Sequence, residues 1–380
     1  MKALLLIALL ATPLCAQFRA GVAKVKITPE LPAWLSGFAA RTKPAESVAQ
    51  DIWAKALAIE DAKGARFVLV TADLIGFTRE ITDEIATRAQ NKYKLERRQI
   101  LFNASHTHSG PSIWPRLHVV RSADEDVERL LKTYAGKLTE NIDDAIGRAL
   151  EAMQPARLES TEAQANFGSN RRIGPLATLR PGEKFPAPSD PSVPVLRITA
   201  TDGKPIAIVF GYACHNTVLT AEFNEVSGDY AGHAQEAIEE TIPGSTAMFI
   251  TLCAADQGAA IRSKRELARQ YGQTLGQSVV TALKAKTKQI TGTLASAYEL
   301  TTLPFTVHTR EVYLAESQSA DPFLARRGSL MLEALSAKGS VRSTPYPVQA
   351  VRFGNAPAWV ALGGGCHRLS TPPQVGIRGR

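Results

Sequence analysis

The sequence predicts an α/β fold in which mixed β-sheets are flanked by amphipathic helices. Two near-continuous apolar runs, PIAIVFGYACH at 205–215 and AMFITLCAADQ at 247–257, have the composition of strands buried on both faces. From Glu125 to Met153, apolar residues recur at helical spacing and predict one long amphipathic helix. Because strand and helix patterns alternate along the chain, helices that cover a sheet are the expected architecture.

The first hundred residues contain three predicted strands and a helix. Residues 20–30 alternate in polarity and predict a strand, and residues 54–76 predict a hairpin that turns near Lys63 and Gly64. A helix is expected after Thr78, whose hydroxyl can accept from the first turn as an N-cap. The run QILFNAS at 99–105 predicts the next strand.

The later part of the chain adds a loop, a helix and a hairpin. Residues 166–194 are rich in Gly, Pro, Asn and Arg, which favours a structured loop. Residues 263–286 have the spacing of an amphipathic helix, and residues 348–365 predict a closing hairpin. We find no internal repeat, and one domain over residues 17–365 is expected.

The N-terminus is typical of a signal peptide over residues 1–16. Lys2 precedes a short apolar run, and small residues lead to a cleavage site between Ala16 and Gln17. This predicts a secreted or periplasmic protein; the bulky Leu14 argues against lipid attachment at Cys15. Of the cysteines that follow, Cys214 and Cys253 are expected to be buried thiols.

The charge distribution limits the classes of partner. The formal net charge is +8, but the basic residues are scattered and are not interleaved with aromatic residues. The sequence therefore does not favour nucleic acid as a partner. A peripheral contact with anionic lipid headgroups is compatible with the charge. The sequence gives no indication of the oligomeric state.

Histidines at the ends of predicted strands are the main functional signal. The stretch QILFNASHTHSGP places His106 and His108 directly after one strand, and His215 follows another. In extended chain, His106 and His108 point to the same side. Either both bind one ion, or one binds it while the other acts on a substrate. The sequence predicts a metal site at the carboxyl ends of the strands, and imidazole ligands suit Zn²⁺.

The alternative interpretation is that these histidines are ordinary surface or hydrogen-bonded residues. An isolated H-x-H pair is a weak signal, and the second strand ending in ACHN strengthens it. His118, His233 and His308 have no comparable setting and are expected to be structural or exposed. The chain has no G-x-S-x-G, H-E-x-x-H or P-loop motif, so those catalytic classes are not indicated.

Taken together, several motifs resemble the neutral/alkaline (non-lysosomal) ceramidase family. They occur in the family's order, and the resemblance covers about residues 18–365: AGVAKVKITPELPAWLSGFAAR, VTADLIG, ASHTHSGP, NRR, CHNTVLTAEFNEVSGDYAG and CAADQG. The resemblance implies a zinc-activated water that hydrolyses an N-acylsphingosine to a fatty acid and sphingosine. The implied partner is a lipid-like N-acyl amide, and the implied cofactor is Zn²⁺.

The resemblance also implies roles for single residues. His106 and His215 match the first two zinc ligands of the family, and His108 matches a histidine that faces the substrate and shuttles protons. Arg171 resembles an arginine that contacts the substrate. Asp256 is expected to support a metal-bound histidine, and it completes the predicted catalytic set with His108 and Arg171.

Asp229 lies in SGDYAG, where a loop is expected to turn into a helix. Its carboxylate suits either an acceptor near the metal or a helix N-cap, and we favour the cap.

Two departures from the family pattern affect these expectations. Ceramidases carry a serine in GDVSPN, whereas this chain reads ADQGAA with Gly258 near the serine position. A different amide or an ester, cleaved by an esterase or deacylase, is therefore an alternative substrate. The family's further zinc ligands are a Glu and a Tyr, and the expected Glu does not follow AWVALGG. A binding protein that keeps the fold without the metal is the second alternative.

Residues 366–380 form a tail that is unlike the rest of the chain. It contains prolines and arginines without apolar periodicity, and we expect it to be disordered. One hypothesis is a shift of reading frame near Gly364, since the next frame can encode EVVIDYPRRLK and so begin with the expected Glu. Cys366 and His367 are metal ligands by type only.

Overall fold

The computed structural model describes residues 17–115, 124–175, 178–180, 182–306, 308–336 and 343–363. The predicted leader 1–16, the tail 366–380 and His118 therefore lie outside the described residues. Among the helices of the described ranges, none is long and apolar enough to cross a membrane. The single-domain prediction for residues 17–365 stays a prediction.

The elements alternate much as expected. The strands are β1 Phe18–Lys26, β2 Trp53–Asp61, β3 Arg66–Ala72, β4 Ile100–Ala104, β5 Gln154–Gln164, β6 Gly168–Asn170, β7 Ser192–Ala200, β8 Pro205–Tyr212, β9 Thr246–Thr251, β10 Gln257–Ala259, β11 Lys288–Ile290, β12 Leu294–Pro304, β13 Ser343–Phe353 and β14 Trp359–Leu362. The helices are α1 Arg79–Tyr93, α2 Glu125–Glu151, α3 Asp229–Thr241, α4 Arg265–Lys284, α5 Arg310–Ser317 and α6 Pro322–Ser336. A short 3₁₀ helix spans Arg97–Gln99.

The predicted α/β class is confirmed, with one mixed sheet at the centre. Its strand order is β4-β3-β2-β1-β5-β7-β8-β9, and β11 pairs with β5. The β3–β4 and β8–β9 pairs are parallel, and the other pairs along this order are antiparallel. Strands β5 and β12 have no counterpart among the predicted elements, because one face of each meets solvent and few of their residues are buried.

The two halves of the central sheet pack against each other, and helices cover the outer face of each half. The structure therefore has four layers. Alternate residues of β2 and β3 face two different cores: Ala56 and Val70 pack toward α1 and α2, whereas Leu57 and Leu69 face the opposite half of the sheet. Strands β7 to β9 pack in the same way against α3 and α4. This two-sided burial accounts for the continuous apolar runs in the sequence.

The sheet curls until its two edge strands meet. The side-chain amide of Asn103 on β4 donates to the Thr251 carbonyl of β9 (3.1 Å) and accepts from the Thr251 N–H (2.9 Å). The Asn103 amide thus takes the place of a pair of backbone hydrogen bonds between β4 and β9. We call this junction of the two edge strands the seam. Because β4 and β8 lie near opposite edges of the strand order, this closure brings their carboxyl ends together.

A buried ion network ties the seam to α3. Lys55 on β2 donates to Gln235 on α3 (2.9 Å) and to the Ala247 carbonyl of β9 (2.6 Å), and it is 3.3 Å from Glu239. Asp73, just after β3, accepts from Gln235 (3.1 Å). Burial lowers the pKa of Lys55 and raises that of Asp73, and their opposite charges offset part of both shifts.

Capping and cysteine predictions had different outcomes. Thr78 caps α1, as predicted, by accepting from Ile81 N–H. The cap predicted at Asp229 is wrong, because Gly228 is the N-cap residue of α3 and Asp229 is the first residue of the helix. The buried Asp229 carboxylate accepts from the Leu219 N–H (2.8 Å) and from the Tyr230 N–H (2.5 Å). Cys214 is a buried free cysteine, as predicted. Cys253 is disulfide-bonded, so the prediction of a buried thiol at this position is wrong.

Replacing Gly272 by Ala should destabilise the fold at the contact between α3 and α4. A Cβ at this position would lie 2.4 Å from the His233 Cβ and 2.7 Å from the Tyr230 carbonyl oxygen, which leaves no room for a methyl group. We expect the free energy of unfolding, measured by urea denaturation, to fall by about 1–3 kcal/mol.

The matched control is Gly136→Ala, because Gly136 is also helical but has open space around its Cβ position. That substitution should raise stability by roughly 0.5–1 kcal/mol. Equal effects of the two substitutions would show that the α3–α4 contact is looser than described.

Candidate metal centre

Three histidines from two strand ends converge at the closed edge of the sheet. His106 and His108 follow β4, and His215 follows β8. The Nε2 atoms of His106 and His215 are 3.0 Å apart, and the Nε2 atoms of His108 and His106 are 3.4 Å apart. The three residues form a group whose ligand atoms all lie within 4.8 Å of one another and could hold a metal ion.

The local backbone explains how each imidazole reaches this point. His106 has a left-handed backbone with φ of 60°, so the chain turns directly after the strand. The His108 N–H donates to the Asn216 carbonyl (3.3 Å), which joins the two histidine loops. The His215 N–H donates to the Gln257 carbonyl (2.9 Å), which anchors the second loop to β10.

Two of the imidazoles have their tautomers fixed by backbone carbonyls. His106 Nδ1 lies 2.6 Å from the Ile75 carbonyl oxygen, and His215 Nδ1 lies 2.7 Å from the Ala254 carbonyl oxygen. A carbonyl only accepts, so each Nδ1 carries the proton and each Nε2 presents a lone pair. Both lone pairs therefore face one shared point.

Two facing lone pairs need a positive charge between them. A proton shared by His106 and His215 would require an imidazolium, but burial lowers the pKa of both residues, that of His215 to about 3. A tetrahedral zinc with imidazole bonds of 2.0–2.1 Å would separate its nitrogens by about 3.3 Å. The donor set therefore fits a divalent metal ion better than it fits a hydrogen bond.

His108 differs from the other two histidines. Its Nδ1 is buried without a hydrogen-bond partner, so no carbonyl fixes its tautomer. The ring packs edge-on against Phe38, with centroids 4.9 Å apart, and lies against Gly37, where a Cβ would be 2.4 Å from it. Arg41 donates to the His108 carbonyl (2.5 Å). His108 Nε2 can therefore carry a proton beside the other two imidazoles.

A short β-ribbon positions Arg171 beside His215. Strand β6 pairs with β10, and the Arg171 N–H donates to the Asp256 carbonyl (2.8 Å) just before β10. The Arg171 guanidinium donates to the Ala255 carbonyl (3.0 Å), and its terminal nitrogen lies 3.0 Å from His215 Nε2, the same atom that faces His106. Burial, and then the charges of Arg172 and Arg262, lower the pKa of Arg171.

Asp256 lies in this loop, but its carboxylate does not support a histidine in the way predicted from the sequence. The carbonyls of Ile75 and Ala254 occupy that position on His106 and His215. The Asp256 Oδ1 atom is buried without a hydrogen-bond partner. The catalytic role of Asp256 stays a prediction.

Asp73, His233 and His308 lie outside the histidine group. The Asp73 carboxylate accepts hydrogen bonds from the Trp53 N–H (3.0 Å) and from the Gln235 side-chain amide, so it belongs to the seam. His233 on α3 lies 3.1 Å from the Gln50 amide, and His308 is exposed. The group itself contains three imidazoles and no carboxylate.

Sequence reasoning missed the backbone groups that orient the site. The carbonyls of Ile75 and Ala254 have no side-chain signature. Gly37 and Phe38 lie in LSGFAAR, a stretch that contributed to the family resemblance but carried no assigned role. The φ of 97° at Gly37 is the physical reason for a glycine there.

Comparisons with known proteins agree with this architecture. The fold is similar to that of neutral ceramidase from Pseudomonas aeruginosa, with a TM-score of 0.69 and 20% identity over 89% of this chain and 61% of that one. A structure described as ceramidase complexed with C2 gives a TM-score of 0.68 at 20% identity, covering 89% and 62% of the two chains.

Two sequence relatives are named neutral ceramidase. The protein from Mycobacterium tuberculosis is 24% identical over 187 residues, which are 48% of this chain and 29% of that protein. The protein from Drosophila pseudoobscura pseudoobscura is 22% identical over 258 residues, 64% of this chain and 36% of its own length. The chain thus spans about a third of these relatives. The family model for neutral/alkaline non-lysosomal ceramidase, N-terminal, matches residues 18–297, and the chain belongs to this family.

Proposed function

We propose that this chain is a secreted, zinc-dependent amidohydrolase that cleaves a lipid N-acyl amide resembling N-acylsphingosine. The observation that carries the proposal is the pair of Nε2 lone pairs of His106 and His215, held 3.0 Å apart and facing one point. Membership of the ceramidase family supports an amide as the bond that is cleaved. The leader-like residues 1–16 support export, and the formal charge of +8 supports peripheral contact with anionic lipid headgroups.

Each residue of the site has a distinct task in this proposal. His106 and His215 hold the zinc ion, which supplies Lewis acidity for polarising a carbonyl and activating water. Arg171 donates hydrogen bonds to the amide oxygen, where negative charge develops. His108 would accept a proton from the attacking water on its free ring nitrogen and deliver it to the leaving amine, because its tautomer is not fixed by a carbonyl. Water adds across the C–N bond and yields a carboxylic acid and an amine.

Zinc content is the first test of this proposal. We expect metal analysis of the purified protein to give near one zinc per chain, with hydrolysis of a long-chain N-acyl amide. His106→Ala should remove both the zinc and the activity, because one of two carbonyl-oriented ligands is lost. His108→Ala should lose activity by about 10²-fold or more and retain zinc.

His308→Ala is the matched control, since His308 is exposed, and it should keep both properties. A folded wild-type protein without zinc would favour the binding-protein alternative. Turnover in the His106 variant would contradict the ligand assignment. Faster cleavage of a short ester than of any amide would favour the esterase or deacylase alternative.

The buried imidazoles should also make the metal-free protein sensitive to acid. The folded pKa is lowered to about 2 for His108 and about 3 for His215, from an ordinary value near 6.5, chiefly by burial. Between pH 6.5 and 4.5 the unfolded chain binds protons at these histidines and the folded chain does not. Stability should therefore fall as pH falls, by up to about 1.4 kcal/mol per pH unit for each histidine.

The measurement is the urea denaturation of metal-free wild type, His215→Asn and His308→Asn at several pH values. The His215 variant should show a shallower loss of stability below pH 6.5, and the His308 variant should follow wild type. Identical slopes for all three proteins would mean that His215 titrates normally in the folded protein.

A further inference from the structure

A pocket with both apolar and polar walls lies next to Phe38, whose ring contacts the His108 ring. Its volume is about 540 Å³, and its lining includes Phe38, Leu179, Ile261 and Arg262. Through Phe38, the pocket adjoins the side of the site where the leaving amine is placed in the proposed function. We call this cavity the arginine pocket.

Arg262 lines this pocket, and its charge and that of Arg172 both act on Arg171 beside His215. The described residues provide no ion pair to Arg171, Arg172 or Arg262. Gathering like charges beside a partly buried site is unfavourable unless an anion compensates them.

Elsewhere in the described fold, carboxylates compensate the charge of arginines by forming ion pairs with them. Arg197 pairs with Glu159 at 2.7 Å, and Arg265 pairs with Glu225 at 2.5 Å. Near the arginine pocket, Asp256 attracts Arg171 but forms no ion pair with it, and the exposed Glu222 lines the pocket without pairing with Arg262. The positive charges thus exceed the negative charges at this end of the site.

The loop that carries Arg262 is also where the chain departs from the family pattern. Gly258 replaces the expected serine, and Ala259, Ala260 and Ile261 separate it from Arg262. The parallel bridge between His215 and Gly258 fixes the start of this loop against the metal centre. The position that departs from the family pattern is therefore joined by a short stretch of backbone to Arg262.

We propose that the substrate is an N-acyl amide whose amine half carries an acidic group, and that Arg262 binds this anion at the arginine pocket while the charge of Arg172 adds to the attraction. The inference rests on the proposed function, because it uses the amide and the position of its leaving amine. Guanidinium groups bind carboxylates through paired, charge-assisted hydrogen bonds. Hydrolysis of such an amide consumes one water and releases a fatty acid and an amino acid.

The test compares two amides that differ in one group. N-Lauroylglycine carries a carboxylate where N-lauroylethanolamine carries a hydroxymethyl group. We expect the wild-type zinc protein to cleave the acidic amide with a kcat/KM about 10- to 100-fold higher, the range for hydrogen bonds to charged groups. Arg262→Gln and Arg172→Gln should reduce this preference mainly by raising KM for N-lauroylglycine.

Arg157→Gln is the matched control, because it removes the same charge from an exposed position on β5 at the opposite end of the sheet. It should leave both amides unaffected. Glu222→Gln should lower KM for the acidic amide, since it removes a negative charge from the pocket. An equal effect of Arg262→Gln on both amides, or a wild-type preference for the neutral one, would overturn the inference.

A binding measurement separates this inference from the proposed function. Calorimetric titration of N-lauroylglycine into His106→Ala needs no turnover, and binding should weaken about 10-fold or more when Arg262→Gln is added. Arginine-dependent binding without hydrolysis by wild type would uphold the anion site and reject the amidohydrolase. Hydrolysis without any arginine dependence of binding would uphold the amidohydrolase and reject the anion site.

Discussion

The site depends on two backbone carbonyls that fix the protons of two imidazoles. The Ile75 and Ala254 carbonyls hold the Nδ1 atoms of His106 and His215, so the Nε2 lone pairs must face one another. Burial lowers the pKa of both rings and so disfavours the imidazolium that would relieve this opposition. The backbone positions of Ile75 and Ala254, which the sheet keeps in place, therefore set the orientation of the two imidazoles. Chemistry at this point follows from that geometry.

The curled sheet is the condition for that geometry. In an open sheet with this strand order, the ends of β4 and β8 would be far apart. The Asn103 amide joins the edges at Thr251, and the buried Lys55 network fastens α3 to the same seam. Hydrogen-bond partners stabilise the buried polar groups of such a seam, and most of these groups have a partner. The closure of the sheet thus holds the histidines of the candidate metal centre in place.

The surroundings of the histidines distinguish this chain from the pattern that its family suggests. The fold agrees with the ceramidase family, and the three histidines could hold a metal ion. The β10 loop instead combines small residues with Arg262, close to Arg171 and Arg172. One fold can serve different substrates when the residues beside its reaction centre differ. Ceramide-like tails and an acidic amine half are compatible, because the arginine pocket has apolar walls as well as a cation.

The sequence by itself determined the α/β class, the buried strands, the Thr78 cap and the candidate histidines, because periodicity and residue type report burial and local hydrogen bonding. It did not reveal the closure of the sheet, since that depends on the contact between Asn103 and Thr251, 148 positions apart. It assigned Asp229 to the cap and Asp256 to a histidine, where the structure has Gly228 and two carbonyls. Only the tertiary structure could decide these points, because backbone carbonyls are identical in every residue and their direction is set by long-range packing.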